Sequence, residues 1–288
     1  VLVSVAAVRG LRRLERTGSG LRVGAAVTLA ELAEHPDVPA ALRDAVRTIA
    51  SPQIRNAATV AGNLVQAKRC WFFRNGFACY KRNGPTSPCY AVLGDHRFQH
   101  AAIDAHRCQA VTPSDLATVL VALDATVEIT GPRGTRVVPA GGFYTGPGET
   151  VVRTDELVSA VEIPPATLDR RAAFTKLALY TGDFATASVA LAVDLAADGH
   201  WTDVRIVAGA LAPTPWRARA AEAALRGTTP TVAEVRRAFD ADLDRHAHPL
   251  PGNAWKLDAA AGLLEQATEQ ITERTLAQAT QQVTPRSG

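Results

Sequence analysis

The sequence predicts an α+β chain built in two units, and three patterns predict it. Capped amphipathic helices and short strands interleave up to a glycine-rich break at Gly141 to Gly148. A long alternating hairpin between Val189 and Ala208 follows, and three helix patterns then run toward the end. At 288 residues, 47% hydrophobic and 20% charged, the chain is long enough for two domains with real cores.

The elements follow in order. The chain opens as if in mid-domain, on the strand-like run Val1 to Val5 and with no methionine, so a segment ahead of Val1 is expected. Leu21 to Val27 reads as a strand. Thr28-Leu29-Ala30-Glu31 has capping-box spacing for a short helix ending near Pro36. Pro39 suits the first turn of a second helix whose Leu42, Val46 and Ile49 share one face. Ser51 to Asn63 reads as a loop. Thr112-Pro113-Ser114-Asp115 starts another helix, with Leu116, Leu120 and Leu123 inward. Strands at Thr126 to Thr130 and Thr135 to Val138 flank the turn Gly131-Pro132-Arg133-Gly134. Gly141 to Gly148 reads as a loop, and the second unit begins near Arg171. Val189, Leu191, Val193 and Leu195 alternate, turn at Asp198-Gly199 and return through Val204, Ile206 and Ala208, a hairpin with one buried face. Helices are expected from Pro215 to Leu225, from a Thr231-Val232-Ala233-Glu234 cap to about His246, and from Ala254 onward. Thr284 to Gly288 reads as a frayed tail.

A net charge of +3 with scattered basic residues gives no case for nucleic acid. No apolar run reaches the length of a membrane span, and the opening residues lack a signal peptide's charged region and cleavage site. The expected location is the cytoplasm, or the periplasm by way of a partner's signal.

The four cysteines are gathered as Cys70-x8-Cys79-x9-Cys89-x18-Cys108. Zinc sites use closer Cys pairs, disulfides need an oxidising compartment, and an iron–sulfur cluster needs four thiolates that loops can bring together. Lys68, Arg69, Arg74, Lys81, Arg82, Arg97 and Arg107 outnumber Asp95 and Asp104 in this segment, an excess that would offset a thiolate-ligated cluster. Cluster, zinc and unligated thiols all stay open on this reading, with His96, His100 and His106 as substitute ligands or ordinary loop histidines.

Ser51-Pro52-Gln53-Ile54-Arg55-Asn56, Ala58-Thr59-Val60-Ala61-Gly62-Asn63-Leu64 and Pro113-Ser114-Asp115-Leu116 resemble the flavin-binding medium subunit of molybdenum hydroxylases, the xanthine dehydrogenase and aldehyde oxidoreductase family. The resemblance covers nearly the whole chain. The cysteine-bearing insertion looks like the branch whose medium subunit holds an additional 4Fe-4S cluster, which would map its ligands to Cys70, Cys79, Cys89 and Cys108.

The resemblance implies a flavin-binding domain of the vanillyl-alcohol-oxidase type over residues 1–165, with the insertion at about 66–110. A CO-dehydrogenase-flavoprotein-like domain of a sheet plus three helices would follow at 171–280. It places Thr59, Ala61, Gly62 and Asn63 against the FAD phosphates, Asp115 with Ser114 beside it on a flavin hydroxyl, and Lys176 near the isoalloxazine ring. Without the resemblance, a loop glycine, a dipole-favoured carboxylate and a solvated lysine are the ordinary readings. Relatives carry a first subdomain whose Ala-Gly-Gly-Thr-Asp loop holds the FAD pyrophosphate. The fold is therefore expected without that subdomain. Losing roughly three or four charge-assisted hydrogen bonds, at about 1.5–3 kcal/mol each, would weaken FAD by several powers of ten. Tyr180-Thr181 also stands where many relatives place arginine.

The implied role is electron transfer from a large molybdenum-cofactor subunit and a small 2Fe-2S subunit, in a heterotrimer or a dimer of heterotrimers, through FAD to an external acceptor. No nucleophile, base and orienter constellation suggests independent catalysis. The alternative is a flavin-poor, metal-stapled structural or assembly subunit of the same complex. A free-standing flavin oxidoreductase of the same fold ranks below both.

Overall fold

The computed structural model describes residues 4–5 and 7–283, with side chains through 274. Most of the strand-like opening and the tail from Thr284 lie outside the described residues.

The first unit begins with the hairpin β1 (Leu14–Thr17) and β2 (Gly20–Gly24), then α1 (Leu29–Glu34) and α2 (Ala40–Arg47). Thr28 and Glu31 form the expected reciprocal capping box on α1. Ser51 to Asn63 is not a loop. It folds into α3 (Pro52–Ala57) and α4 (Val60–Leu64), because the Ser51 and Thr59 hydroxyls each accept the amide three residues on and Pro52 suits the first helical turn.

The cysteine segment adds the single turns α5 (Trp71–Arg74), α6 (Tyr80–Asn83) and α7 (Tyr90–Leu93), and α8 (Asp115–Ala122) follows, capped by Ser114. Next come the expected hairpin β3 (Thr126–Gly131) and β4 (Gly134–Pro139), then β5 (Tyr144–Gly146) and β6 (Glu149–Thr150). The glycine-rich stretch is thus part strand. β7 (Leu157–Ile163) completes an antiparallel sheet of order β1-β2-β7-β3-β4, and α9 (Pro165–Leu168) leads out of it.

The second unit has the sheet β11-β10-β9-β8, from β8 (Arg171–Ala178), β9 (Ala185–Leu195), β10 (Trp201–Gly209) and β11 (Trp216–Arg217). The helices α10 (Arg219–Leu225), α11 (Val232–His246) and α12 (Trp255–Val283) follow. The helix expected from Pro215 starts four residues later, because Trp216 and Arg217 pair with Ala208 and Val207 as an edge strand.

The hairpin of β9 and β10 is buried on both faces, not one. Val189, Leu191 and Val193 join the core under α10–α12, while Ala190, Ala192 and Val207 join the core of the first unit. The small residues on that second face let α8, buried along its whole length, lie against the sheet. Gly209 marks the tightest approach: a Cβ there would meet Thr118 Oγ1 at 2.3 Å and Ser188 Oγ at 2.4 Å. The two units therefore share a wall. Two regions of the molecule stand out: a groove beside α3–α4, lined by the first unit, and the cysteine segment.

Candidate flavin groove and cysteine centre

The groove has a volume of about 650 Å³ and is walled by α3–α4, the β2–α1 link and the start of β7. Thr59, Ala61 and Gly62, three of the residues named from sequence, line it. Their backbone donors are already used. Val60 N–H donates to Val27 O, Ala61 N–H to Ala25 O, Gly62 N–H to Thr59 Oγ1 and Asn63 N–H to Thr59 O, all at 2.9 to 3.1 Å. A phosphate approaching this turn would meet the Thr59 hydroxyl and the bare Cα of Gly62 rather than an open nest of amides. Room, a hydroxyl and a glycine at the wall fit a dinucleotide placed here.

The other four residues named from sequence do not line the groove. Ser114 Oγ donates to Asn63 Oδ1 at 2.6 Å, both buried, which clamps α4 to α8. Lys176 Nζ donates to Asp115 Oδ2 at 2.7 Å and to Thr48 O at 3.0 Å, so this buried ion pair joins β8 to α8 and the end of α2. Burial pushes the Asp115 carboxyl up against the pull of Lys176. Arg12 and Glu156 also line the groove and were missed, since only the fold brings them there. Glu156 accepts from Arg136 at 2.7 Å and from the Arg153 amide at 3.0 Å, and these bonds hold its pKa down to about 2.

In the cysteine segment, Cys70, Cys79 and Cys89 occupy the N-cap positions of α5, α6 and α7. Cys70 and Cys79 are buried, Cys89 and Cys108 half-buried, and none is in a disulfide. Burial raises the Cys70 and Cys108 thiols, while the Phe72 and Phe73 amides at Cys70 and the Ala110 amide at Cys108 favour the thiolate. Cys70, Cys89 and Cys108 lie within electrostatic range of one another. Phe72, Phe77 and Tyr90 pack their rings together beside them, with centroids 5.2 to 6.2 Å apart.

Lys68 is buried with its ammonium 3.8 Å from the Phe73 ring centre, and no carboxylate pairs with it among the described residues. Together with Lys81 it favours a thiolate at Cys108. Of the candidate substitute ligands, His96 has both ring nitrogens on backbone partners, Ala91 O and the Gly252 amide. His106 is exposed, and His100 is buried with Nε2 at 3.3 Å from Cys70 Sγ. Among the described residues, no three His, Cys, Asp or Glu side chains converge closely enough for one metal ion. A four-iron cluster takes each thiolate on a different iron and so holds its ligands further apart. The donor set of four cysteines, backbone amides and surplus cations fits such a group in kind.

Residues 1–166 match the FAD binding domain in molybdopterin dehydrogenase, and residues 172–271 match the CO dehydrogenase flavoprotein C-terminal domain. The chain belongs to the FAD-binding subunits of the molybdenum hydroxylases.

Among these medium subunits, the aldehyde oxidoreductase FAD-binding subunit PaoB of Escherichia coli K12 is 37% identical over 86% of this chain and 77% of its own length. The putative xanthine dehydrogenase FAD-binding subunit XdhB of the same organism is 32% identical over 76% of this chain and 61% of its own. A carbon monoxide dehydrogenase structure from Hydrogenophaga pseudoflava superposes with a TM-score of 0.70 at 28% identity, covering 92% of this chain and 79% of that one. These relatives are oxidoreductase subunits, and the medium-subunit fold is present here. Among the described residues no helix is long and apolar enough to cross a membrane.

Proposed function

We propose that this chain is the FAD- and iron–sulfur-carrying electron-transfer subunit of a molybdenum-dependent hydroxylase of the aldehyde oxidoreductase or xanthine dehydrogenase type. The observation that supports it most is the pairing, in one chain, of the family's FAD-binding domain with a basic insertion whose four cysteines sit at helix starts or half-buried turns. Relatives described as medium chains or medium subunits support a large molybdenum-cofactor partner and a small 2Fe-2S partner, in a heterotrimer or its dimer.

When bound, FAD takes up electron pairs and hands them to an acceptor, and a 4Fe-4S cluster relays single electrons. Thr59, Ala61 and Gly62 face the dinucleotide from the groove wall. The Asp115–Lys176 and Asn63–Ser114 pairs fix the helices behind that wall. Cys70, Cys79, Cys89 and Cys108 hold the cluster, with Lys68 and Lys81 offsetting its charge. The flavin domain takes residues 1–165, interrupted by the insertion at 66–110, and the second domain takes 171–280.

The test is the complex assembled with both partner subunits and mixed anaerobically with an aldehyde or N-heterocycle. The flavin absorbance is expected to bleach after the 2Fe-2S centres are reduced, and more slowly in a Cys79→Ser complex. Reduced 2Fe-2S centres with an unbleached flavin would contradict the role. Equal bleaching in the Cys79→Ser complex would remove the cluster from the path.

A further inference from the structure

We propose that His100 donates a hydrogen bond from Nε2 to the Cys70 sulfur and thereby raises the reduction potential of the cluster, while the last helix holds it in position. This inference rests on the cluster reading above.

His100 is 1% exposed, and its Nε2 lies 3.3 Å from Cys70 Sγ. Its Nδ1 is buried with no hydrogen-bond partner among the described residues. A neutral ring carries one N–H. On Nδ1 that hydrogen would be an orphaned buried donor, a rarer defect than a bare acceptor. On Nε2 it points at sulfur. The geometry thus selects the tautomer in which His100 donates and Cys70 accepts, the role of a ligated thiolate. The Phe72 and Phe73 amides also favour a thiolate at Cys70.

The ring is held from a distance. Lys256 Nζ donates to His100 O at 2.7 Å and to Ala210 O at 2.7 Å, and Asn253 Nδ2 donates to His100 O at 3.3 Å and Ala101 O at 2.9 Å. Both side chains are fully buried at the start of α12. Among the described residues Lys256 has only carbonyl partners, and burial pulls its pKa down to about 7, so it acts here by holding the His100 carbonyl. A hydrogen bond to cluster sulfur favours the more negative, reduced state and so raises the potential.

The experiment compares the anaerobically purified chain with His100→Phe, which removes the donor but keeps a ring against Phe72, and His100→Gln, which keeps a donor. Iron and sulfide are assayed first, then the midpoint potential is read by spectroscopic redox titration. His100→Phe is expected to keep wild-type iron and sulfide but titrate at a lower potential, and His100→Gln to recover more than half of the shift. Should the phenylalanine not fold, His100→Met takes its place beside His100→Gln. An unchanged potential at full iron content overturns the proposal. Iron lost from the donor-free and the glutamine variants alike would make His100 a ligand or a structural support, and also overturns it. A wild-type chain without iron and sulfide overturns the cluster reading itself, and this inference with it.

Discussion

The C-terminal domain and the cysteine segment touch each other, yet they are held in shape by different means. In the first, β9 is buried on both faces and pairs with β8 and β10, while Phe239, Leu264 and Ile206 fill a core under α10–α12. In the second, three four-residue helices have no side-chain cap, and Ala91 is the only buried residue in them. Helices that short do not persist by themselves. The segment is held by an aromatic cluster and by the antiparallel bridges His100–Ala110 and Ile103–Ala247. One region keeps its stability in its own packing. The other gathers its four cysteines where packing is thin, and on the proposed function a bound cluster would add the order its packing lacks.

The largest expected effect separates the two. Cys79→Ser should abolish iron retention and open the segment to trypsin near Lys81 and Arg82, while the β8–β11 sheet stays protected in hydrogen exchange. Uniform loss of protection would merge the two regions and break the comparison. Next, Phe239→Ala, at a fully buried site, should cost about 3–5 kcal/mol and lower the melting temperature without changing iron content in the cold. A smaller effect is expected in the groove. A Cβ at Gly62 already stands 3.1 Å from Thr59 Oγ1, so Gly62→Val should weaken FAD about tenfold, or ~1.4 kcal/mol, by equilibrium titration. Undiminished affinity would take this turn away from the cofactor.

The smallest effect is in pH dependence. Glu156 titrates at about 2 in the folded chain because Arg136 and the Arg153 amide bind its carboxylate, against about 4.3 when unfolded. Its contribution is therefore complete above roughly pH 4.3 and disappears as pH falls through about 2. Urea midpoints for Glu156→Gln should lie below wild type at neutral pH and converge with it at the acid end. A constant gap across that range would mean the bond pattern around Glu156 is not the source.

The same contrast explains what was legible in the sequence. Local signals carried their weight: the Thr28–Glu31 and Thr231–Glu234 capping boxes, the Ser114 cap and both hairpins appear where short-range pattern put them. Ser51 and Thr59 are equally local caps, but the helices behind them are too short to show a periodicity, so their stretch reads as loop. The second buried face of β9 was hidden because its residues are alanines, whose pattern resembles a spacer until α8 lies on them. Long-range placements left no trace in the pattern. Lys256 looks like a surface helix lysine, and only the fold puts it under His100. Asp115 and Lys176 were named singly and turn out to be each other's partner.

The central claim is that this medium subunit carries a cluster as well as a flavin. The most direct measurement is a combined iron, zinc, sulfide and FAD assay on the anaerobically purified chain. About four irons and four sulfides per chain, with FAD, is the predicted result. Zinc without sulfide, and no flavin, would contradict it and leave a metal-stapled scaffold in place of an electron relay.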